Sequence, residues 1–73
     1  IRRRLIFYLL VQAKNGTSSF VMKETQQELA DYFGVTRPAL AKVLYELMEE
    51  GLIRQEKRQI FITDKQTLRR EIM

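Results

Sequence analysis

Apolar residues change their spacing along this chain, and the spacing marks its elements. From Leu40 onward, Leu40, Val43, Leu44, Leu47 and Met48 recur at the helical period and define one buried face. The stretch before them, TQQELADYFG, reads as a shorter helix running to about Phe33. Residues 1 to 14, IRRRLIFYLLVQAK, read as a helix ended by Asn15-Gly16. Its run from Leu5 to Val11 is apolar all round, and such a helix is buried on more than one side. It is either the central helix of a small core or a helix whose second side awaits another domain or protomer. The TSSFVMK stretch from Thr17 reads as a turn followed by a strand over Ser19–Met22. Leu52–Gln55 and Gln59–Thr63 read as two further strands, with Lys57-Arg58 near the tip between them. Asp64 can cap a last helix, Lys65–Ile72, with Leu68 and Ile72 at i, i+4.

The residues between the periodic stretches fix where the helices begin and end. Thr25 and Glu28 fit a capping box, in which the hydroxyl accepts from the third helical amide and the carboxylate accepts from the cap amide. Gly34 falls where a helix C-terminus needs positive φ. Thr36 offers a second N-cap, Pro38 sits in the first turn where a missing N–H costs little, and Gly51 closes the helix. Two capped helices separated by a glycine turn are the layout of a helix-turn-helix, and a hairpin directly after the second helix is a wing. The expected fold is therefore mainly α with a small β wing: a winged helix-turn-helix with a three-helix core, a short strand plus hairpin, and a C-terminal helix. All of 1–73 is one domain.

Composition narrows the chemistry. The chain has no Cys and no His. That excludes a disulfide scaffold, a Cys/His zinc site, a thiol nucleophile and a His-based triad. No paired carboxylates with a plausible pocket emerge, so an enzyme is not expected. No apolar run approaches the length of a membrane span. With 13 basic and 9 acidic residues the net charge is +4, which suits a polyanionic partner without requiring one. The charge is unevenly placed. The outer face of the second helix carries Arg37, Pro38, Ala41, Lys42 and Tyr45 near its start, and Glu46, Glu49 and Glu50 at its end. Only the first two turns could meet a polyanion. Arg2, Arg3 and Arg4 point three ways on a helix and read as a solvated leader.

The run GVTRPALAKVLYELMEEGLI, with TQQELADYFGV before it and a hairpin after it, resembles the C-terminal DNA-binding domain of the Crp/Fnr family, the cAMP receptor protein type of bacterial transcription regulator. The likeness covers nearly the whole chain. The family pattern after the turn is Ser/Thr-Arg-x-x-x-x-Arg. Thr36 and Arg37 match its start, and Lys42 stands at the second basic position. Pro38 stands where the best-known members carry Glu; it cannot accept from a cytosine amino group, so their operator is not carried over.

The resemblance implies sequence-specific binding of double-stranded DNA, with the recognition helix over about 37–50 in the major groove and the wing, 55–59, on phosphate. Arg37 would read a guanine and Lys42 would add a base or phosphate contact. Ala39 would approach the backbone or a thymine methyl. Thr25, Gln26 and Gln27 would bind phosphate through amides and short side chains, with Lys57 and Arg58 on flanking phosphate. Thr36 would cap its helix and touch DNA as well. The resemblance further implies a fragment of a longer cytoplasmic protein. An N-terminal domain would bind an effector, cyclic nucleotide or other, and a long helix would form a homodimer. RNA polymerase would be a further partner. This domain itself would hold no cofactor. Two other readings remain open on the residues: a winged-helix regulator of the GntR or MarR type, and a winged helix used as a protein-interaction module, which the apolar surplus of residues 5 to 11 would suit.

Overall fold

A computed structural model describes residues 1–13 and 18–72. The helix end at Lys14, the Asn15-Gly16 stop and the turn at Thr17 lie outside the described residues. The elements run α1 (Arg2–Gln12), β1 (Ser19–Val21), α2 (Gln26–Phe33), α3 (Arg37–Glu49), β2 (Ile53–Glu56), β3 (Gln59–Ile62) and α4 (Lys65–Ile72). The three strands form an antiparallel sheet in the order β1-β3-β2. This is the winged helix-turn-helix expected from the sequence.

Both helices of the central pair end in the same way. Gly34, at φ 71°, lets the Val35 amide reach the Ala30 carbonyl at 3.0 Å. Gly51, at φ 75°, lets the Leu52 amide reach the Leu47 carbonyl at 3.0 Å. Each is a Schellman closure, in which positive φ turns the chain back onto the last carbonyls. Leu52 therefore belongs to the helix cap, and β2 begins one residue later than the alternation suggests. At the other strand ends, β1 stops at Val21 and β3 at Ile62, each one residue earlier than expected, and β2 runs on to Glu56, one residue later. Helix α4 keeps its expected bounds, with Asp64 accepting from the Thr67 amide at 3.1 Å and from the Thr67 hydroxyl at 2.7 Å.

The core gathers one face from every helix and the inner face of the sheet. Leu5, Ile6 and Leu9 of α1 meet Leu29 of α2, Leu40, Leu44 and Leu47 of α3, Ile60 of β3 and Leu68 of α4. Helix α1 is central to this core on one side only. Phe7 and Val11, on its other side, remain 60% and 42% exposed. The surplus of apolar residues in α1 is thus partly core and partly surface.

Arg2 and Arg4 at the start of α1 are not part of a solvated leader, whereas Arg3 stays exposed. Arg2 donates through Nε and Nη2 to Glu71 of α4 at 3.0 and 3.1 Å, and through Nη1 and Nη2 to Glu50 at the end of α3 at 2.8 and 2.9 Å. One planar guanidinium with five donors can serve two carboxylates at once, which a lysine could not. Arg4 donates to the Phe33 carbonyl at 3.1 Å and lies over the Phe33 ring. The three side chains do point different ways, but acceptors brought in from distant parts of the chain meet Arg2 and Arg4 where they point.

Three carboxyls are held below their ordinary range by partners present only in the fold: Glu50 by the Arg2 hydrogen bond, Glu28 by the Thr25 amide and hydroxyl, and Asp64 by the Thr67 hydroxyl and amide. A depressed carboxyl contributes stability that is present above its unfolded pKa and is lost as pH falls through the folded one. Acid titration followed by circular dichroism should therefore show stability falling as pH drops below about 4.5. Arg2→Met should lower stability at neutral pH by about 1 kcal/mol and make the acid loss shallower, because Glu50 reverts to its ordinary range. An acid profile unchanged in Arg2→Met would overturn this assignment.

Candidate nucleic-acid interface

The exposed side of the helix-turn-helix is built from two helix N-termini and one hairpin tip. At the start of α2 the capping box is complete: the Thr25 amide donates to Glu28 Oε1 at 2.9 Å, and the Glu28 amide donates to Thr25 Oγ1 at 3.1 Å. The hydrogen bond from the Thr25 amide, more than any other cause, keeps Glu28 ionised. The Thr25 amide is therefore occupied. The amides of Gln26 and Gln27, at the first two helical positions, have no intrahelical acceptor and remain available. The Gln27 side chain donates to Asp31 at 3.1 Å, which orients it along the helix.

At the start of α3, Thr36 Oγ1 accepts from the Ala39 amide at 3.3 Å. The hydroxyl hydrogen of Thr36 is not used by the cap and can be donated outward. Pro38 occupies the second helical position with its ring exposed. Arg37 and Lys42 are exposed, Ala39 and Ala41 are half-buried between them, and Tyr45 follows one turn on at 59% exposure. Among the described residues no carboxylate pairs with Arg37, Lys42 or Lys57. Glu49, one turn on, pushes the Tyr45 hydroxyl above the ordinary tyrosine pKa. That pair marks where α3 passes from its basic half to its acidic half. Farther along, Arg2 holds Glu50 and approaches Glu46 at 3.9 Å.

The wing is a two-residue hairpin. Glu56 pairs with Gln59, leaving Lys57 and Arg58 as the loop. The sequence carries no glycine there, and the turn is made with Lys57 at φ 57°. The Gln55 side chain donates to the Lys57 carbonyl at 2.9 Å. Lys57 projects into solvent. Arg58 does not share its direction: its guanidinium donates to the Lys23 carbonyl, in the β1–α2 connection, at 2.9 Å.

Sequence-predicted residues thus separate into groups. Thr36, Arg37, Pro38 and Lys42 lie exposed on the first two turns of α3. Thr25, Gln26 and Gln27 form the first turn of α2 and its cap. Lys57 stands at the hairpin tip. The side-chain roles that pattern reading did not supply are those of Gln55 and Arg58, whose partners come from turn geometry and from a residue far away in sequence. The cation–π pair on β2–β3, Arg54 stacked 4.5 Å over the Phe61 ring, was also unmarked. No local signal announces it beyond the facing register of the two strands.

The sequence matches the Crp-like helix-turn-helix domain over residues 3–71. No curated protein matches it. Among solved structures it is similar to a transcriptional regulator of the CRP family from Thermus thermophilus, with 31% identity and a TM-score of 0.75 over 97% of this chain and 39% of that one. It is similar to the catabolite activator protein of Thermus thermophilus at 26% identity and TM-score 0.77, covering 97% of this chain and 33% of that one. The CO-dependent transcription factor CooA from Carboxydothermus hydrogenoformans shares its fold at 20% identity and TM-score 0.85, over 99% of this chain and 36% of that one. The chain thus spans between a third and two fifths of each of these proteins.

Lys57 holds a backbone conformation that costs a side-chain-bearing residue about 1–2 kcal/mol, and asparagine tolerates it better. Lys57→Asn should raise the melting temperature by up to about 5 °C in a domain of this size. A fall in melting temperature would show that the turn does not store this cost.

Proposed function

The chain belongs to the Crp-like helix-turn-helix domain family and is a DNA-binding domain of a bacterial transcription regulator, and on that premise we propose how it reads its site. Helix α3 enters the major groove by its first two turns. Arg37 donates two hydrogen bonds to O6 and N7 of a guanine. Lys42, one turn on, contacts a base edge or phosphate with less directional preference. Ala39 and the Pro38 ring make close apolar contact, and Pro38 removes an acceptor at that place. The observation that carries this reading is the exposed, carboxylate-free basic row at the N-terminal end of α3, with the acids gathered at the opposite end.

Around this reading head, sequence-independent contacts set the register. The Gln26 and Gln27 amides, at the positive end of α2, suit a phosphate oxygen. The Thr36 hydroxyl suits another. Lys57, at the wing tip, reaches the flanking backbone. In a homodimer two copies of α3 would lie in successive major grooves about 34 Å apart. The longer protein would dimerise and bind its effector, cyclic nucleotide or other, through segments outside this domain, would act in the cytoplasm on RNA polymerase, and would do no catalysis here. No described helix is long and apolar enough to cross a membrane.

The test is retention of random duplexes by the chain fused to a dimerising coiled coil, in a salt series, followed by sequencing. An enriched inverted repeat with a steep negative salt slope is the expected result. Weak binding that ignores salt would remove the DNA reading and favour a protein-contact module built on the exposed side of α1. Within the selected site, Arg37→Ala should relax discrimination at one base pair by about 1–3 kcal/mol. A uniform loss at all positions would reassign Arg37 to the backbone. Lys57→Ala should weaken all sequences alike and reduce the salt slope by about 0.9.

A further inference from the structure

Arg58 looks, by charge and position, like a second phosphate contact beside Lys57. Its surroundings say otherwise. The side chain turns away from the tip and donates to the Lys23 carbonyl at 2.9 Å. The backbone carbonyl of the same residue accepts from the Met22 amide at 2.7 Å. Both ends of Arg58 are therefore engaged with the segment that leads from β1 into α2. Beyond Val21 the β1–β3 ladder has ended, and these two bonds continue the attachment of the wing. They join it to the residues just ahead of the Thr25 cap.

We propose that Arg58 is a positioning residue, a latch that holds the wing tip against the β1–α2 connection, while Lys57 is the wing's phosphate contact. The proposal rests on the DNA-binding reading above. Its physical content is preorganisation. The loop is two residues and lies past the last β1–β3 pair, Val21 with Gln59, so the sheet alone does not fix it. A tip free to swing would have to be ordered each time it met the backbone, and ordering lowers affinity. The latch sets the distance between Lys57 and the first turn of α2 before DNA arrives. One guanidinium donor is used on the Lys23 carbonyl, which holds the Arg58 side chain toward the β1–α2 connection. A carbonyl acceptor from a backbone turn suits a guanidinium, which is weakly hydrated and rigidly forked.

Two readouts separate a latch from a phosphate ligand. The first is made without DNA: amide exchange at Met22, whose N–H is bonded to the Arg58 carbonyl. The second is binding to a mixed-sequence 30-base-pair duplex across a salt series, which counts phosphate contacts. Arg58→Met keeps the aliphatic stem and removes the donors. It should speed Met22 exchange about tenfold, weaken binding about fivefold at every salt concentration, and leave the salt slope within about 0.3 of the parent. Lys57→Met should do the reverse, leaving Met22 exchange unchanged and reducing the slope by about 0.9. A slope reduction of that size in Arg58→Met, or unchanged Met22 exchange, overturns the latch. If the parent chain shows no salt-dependent binding to the duplex, the DNA reading itself fails and the proposal falls with it. That outcome is visible in the parent alone, before any variant is made.

Discussion

The geometry of everything this chain presents outward depends on three residues between α2 and α3. Gly34 is in the left-handed region at φ 71°, Val35 returns its amide to Ala30, and Thr36 caps the next helix. No atom lies within 4 Å of where a Gly34 side chain would begin. The demand for glycine is therefore a demand on the backbone dihedral and not on space. Any other residue would incur the steric cost of left-handed φ. With that turn fixed, the last carbonyls of α2 and the first amides of α3 are satisfied within a few residues. The angle between the helices then has little freedom. The exposed row of α3 and the first turn of α2 are placed on one side of the molecule by this turn, before any tertiary packing is considered.

Packing then fixes the pair against the rest. Leu29 and Ala30 on α2 and Leu40, Leu44 and Leu47 on α3 share a core with Leu5, Ile6 and Leu9 on α1. The far end of α3 has a second restraint, the Arg2 fork to Glu50 and Glu71. Partly exposed ion pairs contribute little singly, but a two-carboxylate fork is directional as well as attractive. It ties the ends of α3 and α4 to the beginning of α1. The basic end of α3 carries no such tie among the described residues and is held only by its cap and its buried face.

What could be read in the sequence was what is decided within about four residues. The Thr25–Glu28 box, the glycine at 34, the Thr36 cap, Pro38 in the first turn of α3 and the Asp64 cap all stand where local chemistry puts them. The apolar stripe of α3 is equally local. Strand ends slipped by one residue because competing closures, such as the Leu52 amide on Leu47, take a residue that the alternation alone would assign to a strand. The roles of Arg2 and Arg58 were not legible. Their acceptors lie 48 and 69 residues away for Arg2 and 35 away for Arg58, and a run of like charges gives no hint of partners at that distance. The hairpin turn carries no glycine to mark it, because Lys57 does without glycine what a glycine would do at less cost.

Helix α3 also carries its charges against its own dipole. A helix favours acids in its first turn and bases in its last. Here Arg37 is in the first turn, and Glu46, Glu49 and Glu50 close the helix. Each reversal is unfavourable, and salt screens it at an exposed site. At the acidic end the fold supplies a reason, because Arg2 faces Glu46 and Glu50 and offsets the unfavourable placement. At the basic end no described carboxylate does the same. Local rules that are broken without internal compensation tend to mark a place shaped by something outside the fold. A negatively charged partner on the first two turns would compensate Arg37 and Lys42 as Arg2 compensates the glutamates. The same helix would then be restrained at one end by its own domain and at the other by DNA.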